Sequence, residues 1–162
     1  MLSGTLYSDE GITEYTSATS TIKVSVNSST TYATTTVSGS ADWVIDGVDF
    51  STSSVLTVWV DGEPTFRASL VTKVASTTDI SGLDLYKDYL IVQSEGGTGL
   101  PITNSILGNY DSDDDSNIQF TANNGVLVQS VGQSLFIADD TTYSPEGNDS
   151  WWFFNCYQYS CD

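Results

Sequence analysis

The chain has 162 residues, with 4 Lys and Arg against 21 Asp and Glu, no histidine, and a formal net charge of -17. That charge repels nucleic acid phosphates and anionic lipid, which excludes both as partners. The missing histidine excludes Ser-His-Asp and Cys-His catalysis and histidine-based zinc sites. With 39% hydrophobic and 12% aromatic residues, the chain can build a core for one large β domain or two small ones. No apolar run approaches the length of a membrane span, so no membrane insertion is expected. Ser and Thr make up roughly a quarter of the chain, far above ordinary usage, and Thr suits exposed strand positions.

The chain reads as short strands separated by turn signals. Its opening, Met1 to Tyr7, goes straight into strand-like sequence without a signal peptide, so Met1 reads as the start of a fragment, with a genuine intracellular start as the alternative. Ser3 to Ser8 alternates and stops at the turn Asp9-Glu10-Gly11. Thr21 to Val26 alternates too, with Ile22, Val24 and Val26 on one face. Thr31 to Val37 is polar and Thr-rich, as an edge strand would be. Asp42 to Val48 follows a Ser-Gly-Ser turn. Val55 to Val60 runs into Asp61-Gly62, a tight-turn dipeptide. Thr65 to Val74 answers it, with Phe66, Ala68, Leu70 and Thr72 on one side. Ile80 to Val92 supplies at least one more strand, with Leu83, Leu85 and Tyr86 as the candidates to pack inward.

The composition then shifts at Ser94-Glu95-Gly96-Gly97-Thr98-Gly99, a linker or long loop. Beyond it the apolar runs are shorter: Ile118-Gln119-Phe120, Val126-Leu127-Val128 and Leu135-Phe136-Ile137. These readings give an all-β chain in two parts. Residues 1–93 form a β-sandwich, and residues 94–162 form a smaller β-roll or β-solenoid-like part stacked on it.

The stretches Ser3 to Gly11, Thr36-Val37-Ser38-Gly39 through Trp43 to Val48, and Leu56 to Gly62 resemble the carboxypeptidase-regulatory-like repeat, a transthyretin-like or Ig-like β-sandwich. Ile80 to Tyr86 and Leu135 to Gly147 are similar to long bacterial cell-surface proteins in which such a sandwich precedes β-solenoid repeats. The resemblance spans roughly residues 3–150 and rests on turn and core residues, so it implies a fold and an extracellular, cell-surface setting but no chemistry. Trp151 to Asp162 departs from the pattern.

Three groups of residues are candidates for function. Asp111, Asp113 and Asp115 are spaced like the first ligands of a calcium loop, because a hard cation takes six to eight oxygens. Gly at the sixth position and Glu at the twelfth are missing, and a solvated acidic loop is the alternative to a Ca²⁺ site. The tail carries Trp151, Trp152, Phe153, Phe154 and Tyr157. Exposed, these would form an apolar patch of a kind soluble proteins keep for binding. The tail reads as a closing strand over the second part's core, as a strand inserted into a neighbouring subunit, or as a platform on which sugar rings stack. Cys156 and Cys161 enclose four residues, and pair with each other in an oxidising setting or with another chain. Asn27-Ser28-Ser29 and Asn148-Asp149-Ser150 match the N-glycosylation pattern, as a Ser-rich chain does by chance.

No carboxylate pair is singled out for glycoside hydrolysis, so no enzymatic activity is expected. The first expectation is an extracellular structural or assembly module, a filament or surface-layer subunit joined by β-strand complementation. Its partners are other copies of itself or neighbouring modules. The alternative is a carbohydrate- or cell-binding adhesin module with calcium-stiffened loops and a polysaccharide partner.

Overall fold

A computed structural model describes residues 1–16, 19–36, 38–75, 78–95, 101–123 and 125–146. In chain order the elements are β1 (Leu2–Tyr7), β2 (Thr21–Val26), β3 (Thr30–Thr35), β4 (Asp42–Ile45), β5 (Val55–Asp61), β6 (Ala68–Val74), β7 (Leu85–Tyr86) and β8 (Tyr89–Glu95). They continue with β9 (Ile102–Thr103), α1 (Asn104–Leu107), β10 (Phe120–Asn123), β11 (Val126–Gln129), β12 (Ser134–Ile137) and β13 (Tyr143–Ser144). The all-β class expected from the turn-punctuated alternation is what the chain adopts.

The main sheet has six strands in the order β12-β8-β6-β5-β2-β3. β3, β2, β5 and β6 follow one another antiparallel. β6, β8 and β12 are parallel neighbours. Parallel neighbours cannot be joined by a hairpin and need a crossover. The crossover from β6 to β8 carries β7, which pairs with β1 in a three-stranded sheet, β4-β1-β7. The longer crossover from β8 to β12 carries β9, α1 and the hairpin β10–β11.

Side-chain alternation sends the two halves of each central strand to different cores. One core lies between the two sheets. Ile22, Val24, Leu56, Val58, Leu70 and Ile91 from the main sheet meet Leu2, Leu6, Trp43, Ile45 and Leu85 from the three-stranded sheet. The other core lies on the opposite face, where Trp59, Val71, Leu90 and Val92 meet Ile102, Leu107, Ile118 and Phe120 of the longer crossover. Truncating a buried Leu in either core to Ala costs about 2–5 kcal/mol.

The two expected parts therefore share one sheet. The boundary near residue 94 falls at the end of β8, and β12 from beyond it pairs residue for residue with β8. The expected strand at Ile118-Gln119-Phe120 begins only at Phe120. Ile118 is buried as a loop residue, with its N–H held by the Asp115 carbonyl at 3.0 Å. Inside the longer crossover, Thr103 caps α1 by accepting the Ile106 N–H. The Tyr143 hydroxyl donates to Asn104 Oδ1, and burial pushes its pKa to about 12.

Beside β1 the backbone leading into β7 crowds Gly4. A Cβ there would stand 2.1 Å from the Leu83 carbonyl oxygen, in the segment whose backbone bonds to Ser3. Gly4→Ala is expected to lower stability by about 2 kcal/mol or more, since overpacking of a rigid contact costs about 1–3 kcal/mol. A lower urea midpoint at unchanged m-value is the expected reading.

Candidate functional site

The acidic loop between α1 and β10 is built on Asp111, which is 4% exposed. Its Oδ2 accepts the Ala122 N–H at 2.8 Å and its Oδ1 accepts the Asp113 N–H at 3.0 Å. Its carbonyl accepts the N–H groups of Asp114 and Asp115 at 3.0 and 3.1 Å. Asp114 Oδ2 accepts the Asp111 N–H at 3.2 Å. Short acidic side chains bind neighbouring backbone in this way wherever a loop lacks helix or sheet partners.

Asp115 turns to the main sheet. Its Oδ1 accepts both the backbone and side-chain N–H of Asn117 at 2.9 Å. Its Oδ2 lies 3.6 Å from the Lys23 ammonium, which also lies 3.0 Å from Asp61 Oδ1. Asn117 closes the ring by donating to Asp61 Oδ1 at 2.8 Å and accepting the Gly62 N–H at 3.2 Å. Nearby, Arg67 donates to Gln119 Oε1 at 2.8 Å. The loop is thus pinned to β2 and β5 by a lysine that serves two carboxylates.

Burial works to raise the Asp115 carboxyl, but the Asn117 donors and Lys23 outweigh it and hold it below the usual value. The hydrogen bond to Asp61 raises Lys23, and the charges of Asp61 and Asp115 add to the rise against burial. A lowered acid contributes stability above its unfolded pKa and loses it as pH falls through the folded value. A raised lysine contributes below its unfolded pKa and loses it as pH rises through the folded value.

Asp111, Asp113 and Asp115 share one loop, but their carboxylates do not share one task. Asp111 bonds inward to backbone, Asp115 bonds to Asn117 and faces Lys23, and Asp113 is exposed. Among the described residues, no group of three or more His, Cys, Asp or Glu side chains is placed to hold a metal ion. Trp151, Trp152, Phe153, Phe154, Tyr157, Cys156 and Cys161 lie outside the described residues.

The sequence reading did not anticipate Lys23 or Asn117. Lys23 sits at a polar position of an alternating strand, and only the fold brings it to a loop some ninety residues away. A second grouping was also unforeseen. Tyr32 and Phe50, with Asn27, Asp49 and Ser51, line an open cleft of about 420 Å³ at one end of the main sheet.

No family model, curated protein or solved structure matches the chain.

Two measurements probe the loop. Lys23→Met is expected to destabilise by about 1 kcal/mol, the upper range for a partly exposed ion pair. The loss should hold across neutral pH and shrink only as pH falls through the lowered pKa of Asp115, where that carboxylate takes up its proton. Calorimetric titration with millimolar CaCl₂ is expected to give no heat, because the Asp111 and Asp115 carboxylates already have partners. A saturable heat would support a cation at this loop.

Proposed function

We propose that the chain is a non-catalytic structural module of an extracellular cell-surface protein, and that copies of it, or neighbouring modules, join through the edges of the main sheet. The observation that carries this reading is the bare outer edge of β3. The Thr36 N–H donates to the Ser20 carbonyl at 2.8 Å. With the β2–β3 register, this makes Thr34, Tyr32 and Thr30 the hydrogen-bonded partners of β2 and turns the backbone of Thr31, Ala33 and Thr35 outward. Among the described residues no further strand pairs with β3 or with β12 at the opposite edge.

Soluble proteins guard such edges with lysine, proline or a bulge. β3 reads Thr-Thr-Tyr-Ala-Thr-Thr and has none of these residues. Joining opposite edges of one sheet is a heterologous contact, which repeats into a filament or layer wherever its rotation does not close a ring. The resemblance to cell-surface sandwich repeats supports the extracellular setting. The aromatic tail, Trp151 to Tyr157, is the proposed donor strand, and a bridge between Cys156 and Cys161 of different chains would lock the join. The dense negative charge argues for partners that are neither nucleic acid nor anionic membrane.

Ala33→Pro tests this. Its N–H points away from β2, a position where an edge strand tolerates proline, so the thermal midpoint is expected to move little. Concentration-dependent polymers seen by electron microscopy and sedimentation are expected for the unaltered chain and to be lost in the variant. A chain that stays monomeric at all concentrations, or polymers indifferent to Ala33→Pro, would count against strand addition.

A further inference from the structure

The cleft at the end of the main sheet lies between the β2–β3 turn and the loop from Val48 to Ser54. Its walls are Val26, Asn27, Tyr32, Asp49, Phe50 and Ser51, with the hydroxyls of Ser29, Thr30 and Ser54 between them. Tyr32 and Phe50 are half-buried and pack against the core between the two sheets, so each ring is anchored while its outer part faces the cleft. Asp49 is exposed at the rim. Among the described residues no group bonds to its carboxylate, while its N–H approaches the Tyr32 hydroxyl at 3.4 Å.

The frame around the cleft is unusually constrained. Asn27, Ser28 and Ser53 all have positive φ, at 48, 60 and 70°. At Asn27 and Ser28 this is the left-handed pair that a tight hairpin turn requires, and at Ser53 it persists because the surroundings hold it. Here the enforcement is visible. Asn27 Oδ1 accepts the Val55 N–H at 2.8 Å, its Nδ2 donates to Ser54 Oγ at 3.2 Å, and Ser54 Oγ accepts the Ser51 N–H at 3.0 Å. The Asn27 amide thus clamps the two loops together.

The chemistry of the lining selects a ligand class. No Lys or Arg lines the cleft, and the chain carries a charge of -17, so an anionic ligand is excluded. Hydroxyls and an amide interrupt the apolar surface, which disfavours a lipid. Two anchored rings with a carboxylate and several hydroxyls at their margin suit a ring that is apolar on its faces and hydroxylated at its edge. We propose that this cleft binds a neutral saccharide, one or two sugar rings in extent, stacked on Tyr32 or Phe50 with ring hydroxyls donating to Asp49. The inference is independent of strand addition, and it assigns a sugar site to residues other than the tail tryptophans.

The test is ¹⁵N-resolved NMR of the full chain at dilute, monomeric concentration, titrated separately with maltose, cellobiose and N,N′-diacetylchitobiose. Saturable shifts of the Asn27, Thr30, Asp49 and Ser51 amides are expected with at least one of them, with a Kd on the order of 1 mM. Asp49→Asn, an exposed substitution that leaves the frame intact, and Tyr32→Ala should each weaken binding at least tenfold. Tyr32→Phe, which keeps the ring, should retain most of it. Three outcomes overturn the proposal: no shift with any of the three sugars, shifts that survive Asp49→Asn unchanged, or shifts with tetramethylammonium chloride in their place. The last would assign the rings and Asp49 to an organic cation.

Discussion

The parallel pairing of β6, β8 and β12 governs the rest of the architecture. Each parallel step obliges the chain to leave the sheet and return, and the two excursions pass over opposite faces. One carries β7 to the three-stranded sheet that covers Ile22, Val58 and Leu70. The other lays α1 and the β10–β11 hairpin over Trp59, Val71 and Leu90. The central strands are consequently dry on both sides, a condition usually reserved for sheets enclosed by helices. Here short strands, one four-residue helix and loops do the covering.

Covering a sheet with loops raises a polar problem, since loop backbone needs hydrogen-bonding partners wherever it is withdrawn from water. The chain answers it with its acidic residues. Asp111 satisfies the N–H groups of Asp113 and Ala122, and Asp115 satisfies that of Asn117. Much of the negative charge thus has a structural occupation. Lys23, one of four cationic side chains, stands where two of these carboxylates would otherwise face each other unscreened.

What could be read from sequence followed from local period. Ile22, Val24 and Val26 share the face their alternation predicts, and the Thr-rich segment forms the edge strand β3. Thr65 to Val74 was legible on one side only. Phe66, Ala68 and Leu70 point to the expected core, but Val71 is equally buried on the far face, because nothing local announces a second covering layer. The Asp111-Asp113-Asp115 spacing is shared by cation loops and by loops whose carboxylates bind their own backbone, so spacing could not separate them. The cleft was invisible for a different reason. Tyr32 and Phe50 come to one cleft because the loop before β5 folds beside the β2–β3 turn, and the left-handed backbone at Ser28 and Ser53 has no composition signal of the kind glycine provides.

The placement of β12 also sets a timetable for folding. Its partner β8 ends about forty residues earlier, and such distant pairings are slow to form because the intervening chain must first be closed into a loop. A chain emerging from its N-terminus can assemble β1 to β8 while Trp59, Val71, Leu90 and Val92 still lack the residues that will shield them. Until Phe120 and β12 arrive, that face is an adhesive surface. A strongly negative chain keeps such half-made molecules apart by mutual repulsion, so the charge protects the protein most during the interval before its last strand docks.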